Sequence, residues 1–139
     1  MSEKETAQIP FTLAILSVFF GFLAAASLFS SWEDYILFSI VLPRVLSAFI
    51  TVIEAVVLGF ISYGLYKQMK VAQKVLIYYS MFSITDILTT LILIDKDTLT
   101  GVLKDASLMD DFANINLTFC IIFFALIRYA RRHNGFFVN

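Results

Sequence analysis

The sequence predicts an all-α integral membrane bundle, four transmembrane helices forming a single domain over residues 1–139 with the N and C termini cytoplasmic. Three observations carry that prediction. Of 139 residues, 60% are hydrophobic and 15% charged, with a mean hydropathy of +0.86, well beyond the roughly half-apolar composition of soluble domains. The charges bunch between apolar runs, four of which reach the about 20 residues needed to cross a hydrocarbon core of about 30 Å. Finally, Lys and Arg are divided unevenly among the connecting segments, which gives an orientation.

The first run, Ile9 to Ser30, follows a short polar N-terminus with no early charged cluster or clear small-residue cleavage site. It reads as a retained span, not a secretory signal. Ser17, Gly21 and Ala25 recur every four residues along it, a groove that lets another helix approach closely. The second span is Pro43 to Tyr66, because Tyr35 to Tyr66 as one straight helix would be about 48 Å long. Proline suits the first turn of a helix, where its missing N–H is no loss. Tyr35 to Leu42 then becomes a re-entrant or interfacial lead-in, and the competing reading is one long, tilted helix kinked at Pro43.

The third and fourth spans are Val75 to Ile94 and Phe112 to Ala130. Between them Leu99, Val102, Leu103, Ala106 and Met109 recur near helical spacing, which predicts a short interfacial amphipathic helix. Asp110 and Asp111 suit the start of the fourth helix, where carboxylates meet the positive end of its dipole. Lys67, Lys70 and Lys74 fill the 2–3 loop and Arg128, Arg131 and Arg132 the tail, whereas the 1–2 connection holds Glu33 and Asp34 and the 3–4 connection five aspartates against Lys96 and Lys104. All four segments agree on cytoplasmic termini. Aromatic residues extend the pattern, with Trp32 and Tyr35 expected at the outer interface and Tyr63, Tyr66, Tyr78, Tyr79 and Tyr129 near the inner one.

Ionisable residues inside spans cost a few kcal/mol each on insertion scales, so Glu54 and Asp86 are the most informative positions. Glu54 lies 13 residues before Lys67 and Asp86 lies 12 after Lys74, placing both about 18 to 20 Å from the basic end. Asn116, 12 residues before Arg128, reaches nearly the same level and predicts a polar layer across three helices. On the second helix Ser47, Thr51, Glu54, Ala55, Gly59 and Ser62 share one face, with Ala55 and Gly59 as small packing positions. On the third, Tyr79, Ser83, Asp86 and Thr90 share another. Two readings stand side by side. The polar set, Glu54, Asp86, Asn116, Thr51, Ser83 and Thr90, could form a proton- or cation-linked site in which one carboxyl holds a proton at neutral pH. Alternatively, a protonated acid could hydrogen-bond neighbouring hydroxyls and amides, joining the helices.

Other chemistries find little support. Net charge is -1, so no basic footprint for nucleic acid exists. A lone cysteine, Cys120, rules out an intramolecular disulfide, and the lone histidine, His133, falls in the tail, which excludes a bis-histidine haem or His-rich metal site in a single chain. The sequence has neither a Gly-x-Gly-Asp protease loop nor a Ser with a His or Lys base in the spans. P-loop, dinucleotide and Cys-x-x-Cys signatures are missing too. We expect no enzymatic activity, cofactor or metal.

Ile53-Glu54-Ala55 through Tyr66-Lys67-Gln68-Met69-Lys70, then Asp86, and the closing Arg131-Arg132-His133-Asn134-Gly135-Phe136-Phe137-Val138 carry a resemblance over about half the chain. The pattern resembles an uncharacterised bacterial family of small four-helix inner-membrane proteins, a domain of unknown function. The resemblance implies four spans and a bacterial inner membrane. The family's usual Gly-Trp-Leu at the first helix is not found here. From sequence, the first expectation for function is an accessory component that assembles in the lipid bilayer, as a homo-oligomer or within a larger membrane complex, through helix–helix association. The second is a small proton- or cation-linked transporter or channel subunit.

Overall fold

The computed structural model describes residues 10–30, 35–94, 97 and 108–137. Four long helices dominate: α1 (Phe11–Ser30), α2 (Arg44–Tyr66), α3 (Lys70–Leu93) and α4 (Leu108–Arg132). Their 20, 23, 24 and 25 residues correspond to about 30 to 38 Å at 1.5 Å per residue, and all four are apolar enough to cross a membrane. Large apolar side chains point outward from every helix, among them Phe22, Phe49, Ile92 and Phe124. Such a surface would be a liability in water but matches hydrocarbon. The chain therefore has the build of a multi-pass membrane protein.

The helices form two packed pairs, α1 along α2 and α4 along α3, with a smaller contact between α2 and α3. A buried apolar core runs through Leu13 and Phe20 of α1, Leu58, Ile61 and Leu65 of α2, Leu76 of α3 and Phe123 and Leu126 of α4. Where α1 meets α2, the Ser17 hydroxyl donates to the Ser62 carbonyl and the Ser62 hydroxyl to the Ser17 carbonyl, both at 2.7 Å. That reciprocal pair requires close helix approach, which Gly21 permits, since a Cβ there would sit 3.1 Å from the Ser62 Oγ. The expected groove is shorter than its sequence spacing implies. Ala25 is exposed, and a Cβ on Gly59 would meet nothing within 4 Å, so neither is a close-packing position within the chain. Ala55 is buried.

The α2–α3 turn explains why α3 starts at Lys70, ahead of the expected Val75. Gln68 takes a left-handed φ of 56°. Its N–H donates to the Leu65 carbonyl at 3.1 Å and the Met69 N–H to the Gly64 carbonyl at 2.8 Å. This is the Schellman closure of a helix, which usually places glycine where Gln68 stands. Left-handed backbone costs an L-residue about 1–2 kcal/mol, so Gln68→Gly is expected to stabilise the protein by roughly 1 kcal/mol. A raised thermal midpoint in micelles would register it, and an unchanged or lowered one would refute it. The earlier start also moves Tyr79 nine residues into α3, about 14 Å from its beginning. Tyr79 is thus not the interfacial anchor that the sequence suggested.

At the other end of the bundle, the chain between α1 and α2 breaks before Pro43, and no single long kinked helix forms. Instead Ile36–Leu37 (β1) and Ile40–Val41 (β2) pair antiparallel, in the register Ile36 with Val41 and Leu37 with Ile40. This two-residue ladder is the one departure from an all-α fold among the described residues. α4 begins at Leu108, earlier than the expected Phe112, so Asp110 and Asp111 fall among its first four residues. Of the predicted amphipathic helix, Leu99 to Ala106 lie outside the described residues, and its last position, Met109, belongs instead to α4. Gln73 of α3 donates from Nε2 to the Ala130 carbonyl at 2.6 Å. This bond ties the end of α4 to the same end of the bundle as the α2–α3 turn.

Candidate functional site: a cavity with two carboxylates under a re-entrant hairpin

The β1–β2 hairpin dips into the bundle. Its turn residues, Phe38 and Ser39, both have positive φ, 47° and 69°. Two-residue hairpin turns of this hand favour Asn-Gly because ordinary side chains resist that backbone. The strain is offset by α3: the Phe38 N–H donates to Asp86 Oδ1 at 2.7 Å, the Ser39 N–H to Thr90 Oγ1 at 3.2 Å, and the Ser39 hydroxyl to the Thr89 carbonyl at 3.1 Å. Asp86 lies seven residues before the end of α3, so the turn reaches about 10 Å below that end. Irregular backbone at such depth must have its polar groups satisfied by protein. The Leu42 N–H bonds the Tyr35 carbonyl at 2.9 Å. The buried Ser47 hydroxyl accepts the Tyr35 N–H at 3.2 Å and donates to the Leu42 carbonyl at 3.0 Å.

Below the hairpin is a cavity of about 550 Å³ to which every helix contributes. Its walls are Leu23 and Ser27 of α1, Tyr35 and Leu37 of the hairpin segment, and Ile50, Ile53, Glu54, Val57 and Leu58 of α2. Tyr79, Phe82, Ser83, Asp86 and Ile87 of α3 and Phe119 and Phe123 of α4 complete them. The volume falls in the range of small-molecule sites. Four aromatic rings of α3 and α4 face it, and several touch: Tyr79 meets Phe123 edge-on at 5.9 Å, and Phe119 stacks on Phe123 at 6.3 Å.

Both membrane carboxylates line this one cavity. Glu54 accepts the Tyr79 hydroxyl on Oε1 at 2.7 Å and the Tyr35 hydroxyl on Oε2 at 3.2 Å. An acceptor on each oxygen is what an ionised carboxylate offers. Burial, then the nearby Glu54 and Asp86 charges, push the Tyr35 phenol above its usual range, so it remains a proton donor. Among the described residues Asp86 takes one hydrogen bond, to Oδ1, and its second oxygen is left over. Among the described residues, the lining contains no Lys, Arg or His.

The remaining residues of the expected polar set divide. Ser83 lines the cavity beside the carboxylates and the buried Thr90 holds the hairpin turn. Thr51 donates to its own helix at the Ser47 carbonyl, 2.7 Å away, as helical threonines do when no better acceptor is near. Asn116 likewise turns back, its Nδ2 donating to the Phe112 carbonyl at 2.8 Å. The expected three-helix polar layer is therefore a two-helix one, and α4 contributes Phe119 and Phe123 in its place. Sequence reasoning missed the hydrogen-bonding roles of Tyr35 and Tyr79. For Tyr79 a signal existed, because it shares the Ser83, Asp86 and Thr90 stripe and a buried phenol needs a partner. Tyr35 gave none, since the fold of the hairpin alone brings it to Glu54. No protein-family model, curated protein or solved structure matches this chain.

Proposed function

We propose that the protein is a cation-linked membrane carrier or channel component whose cavity binds a positive charge, a proton included, between Glu54 and Asp86. The observation that carries this reading is two carboxylates lining one cavity with no basic residue among its described lining residues. Negative charge in a low-dielectric site is costly without a compensating cation. The assembly role expected first from the sequence draws on the same polar faces. Within the fold, however, Ser17 and Ser62 bond each other, Glu54 holds two tyrosines and Asp86 holds the hairpin. Those groups are engaged inside the chain, which favours a site over a docking face.

Orientation completes the proposal. Lys67, Lys70 and Lys74 gather with Arg128, Arg131 and Arg132 at the end that Gln73 and Ala130 tie together, and excess Lys and Arg marks the cytoplasmic side. The termini are then cytoplasmic and the hairpin opens outward. The resemblance noted above supports a bacterial inner membrane as the setting.

Flux in liposomes tests the reading. Protein reconstituted with an internal pH indicator or a thallous-ion reporter should pass protons or monovalent cations down an imposed potential. Glu54→Gln and Asp86→Asn preserve shape and hydrogen bonding, and each should cut the flux by about 10-fold or more, as loss of a buried charge partner does. Equal flux in wild type and both amides at matched incorporation, or none in wild type, would reject it.

A further inference from the structure

Resting on that reading, we infer that the cavity takes an organic cation, a quaternary or protonated amine carrying an apolar body, with its charge at Asp86 and its body against the rings of α3 and α4. Size is the first argument. About 550 Å³ far exceeds what a proton or a bare metal ion occupies, and it lies within the span of small-molecule pockets.

The wall chemistry is the second. Hard inorganic cations want six or more oxygen ligands, and among the described residues no group of three or more His, Cys, Asp or Glu could hold a metal. Most of the oxygens present already serve the protein: both Glu54 oxygens hold tyrosines and Asp86 Oδ1 holds the hairpin. Among the described lining residues, what remains is the second carboxylate oxygen of Asp86, in a cavity that four aromatic side chains also line. That combination suits a weakly hydrated cation, which gains from aromatic rings and from a single counter-charge without needing a full oxygen shell. Tyr79, Phe82, Phe119 and Phe123 supply the rings.

Glu54 and Asp86 differ in their tasks. Glu54 is held by Tyr35 and Tyr79, so both its oxygens are engaged within the protein. Asp86 meets the ligand directly. The third argument is access: the cavity is lined from both helix pairs, which touch each other less extensively than they do their own partners. An amphipathic cation partitioned into the membrane can thus enter from the side.

Benzyltrimethylammonium and neopentylbenzene, which replaces its nitrogen by carbon, form an isosteric charged and neutral pair that isolates the charge. Equilibrium dialysis of the full chain in nanodiscs should show saturable uptake of benzyltrimethylammonium. Asp86→Asn keeps an acceptor for Phe38 and should weaken binding by about 10-fold or more, and Glu54→Gln by less. Ile50→Phe, which narrows the cavity without altering charge, should weaken it also, and neopentylbenzene should compete poorly. Unaltered circular dichroism and elution volume keep the variants interpretable. Non-saturable uptake, uptake indifferent to Asp86→Asn and Ile50→Phe, or equal competition by the neutral isostere would overturn the inference. Proton or thallous flux still lost in the two amides would then leave the cation-linked reading standing, whereas flux that persists in them would remove both.

Discussion

Leucine at Gly64 is expected to be the most damaging single change in the protein. Gly64 sits in the last turn of α2, where a Cβ would collide with the Ala72 Cβ and come within 3.5 Å of the Ala72 Cα. Neither Cβ can move by a change of rotamer, so the two helices must separate. Overpacking of a tight contact typically costs 1–3 kcal/mol, and here it also disturbs the Gly64 carbonyl that closes the turn with Met69. Gly64→Leu should lower the thermal midpoint in micelles by several degrees or prevent accumulation, with Gly64→Ala milder. The double variant Gly64→Ala with Ala72→Gly returns the space and should recover most of the loss, a coupling between neighbours that independent sites would not show. A double variant no better than Gly64→Ala alone would mean that the contact is not the cause.

Asp86→Leu should release the hairpin. The change removes the acceptor of the Phe38 N–H, and a buried donor left without a partner costs about 1–3 kcal/mol. Phe38 and Ser39 are already held in left-handed backbone, so their strain is no longer opposed by the strongest of the three bonds to α3. Amide exchange across Tyr35 to Leu42 is expected to accelerate by about 5- to 150-fold, the factor that corresponds to that energy, while the helices keep their protection. Asp86→Asn retains an oxygen for Phe38 and should exchange close to the wild-type rate. Identical exchange in Asp86→Leu and wild type would show that Asp86 does not secure the turn.

How far the sequence revealed this structure depends on the length scale of each signal. Spans were legible because hydropathy sums over about 20 residues, and the break at Pro43 was legible because proline is local chemistry. The start of α3 was not, since Lys70 and Lys74 look like loop residues until the Gln68 turn and the Gln73–Ala130 bond fix them in a helix. Glu54 and Asp86 stood out by their cost in lipid, and their depths matched well enough to reach one cavity. Asn116 matched in depth too but satisfied itself on its own helix, a choice that axial spacing does not encode. The hairpin was hardest to foresee. Phe38 and Ser39 carry no Asn-Gly signature, and their conformation follows from tertiary bonds alone.

The hairpin segment also has a thermodynamic consequence. It touches both carboxylates, Glu54 through the Tyr35 hydroxyl and Asp86 through the Phe38 amide, so the two acids report to one short piece of backbone. Linkage makes such an arrangement reciprocal. Whatever factor the occupancy of Asp86 imposes on hairpin docking, docking imposes on the occupancy of Asp86, and Tyr35 transmits a share of it to Glu54. A change at either carboxylate and a perturbation of the hairpin backbone thus act on the same equilibrium, from opposite ends.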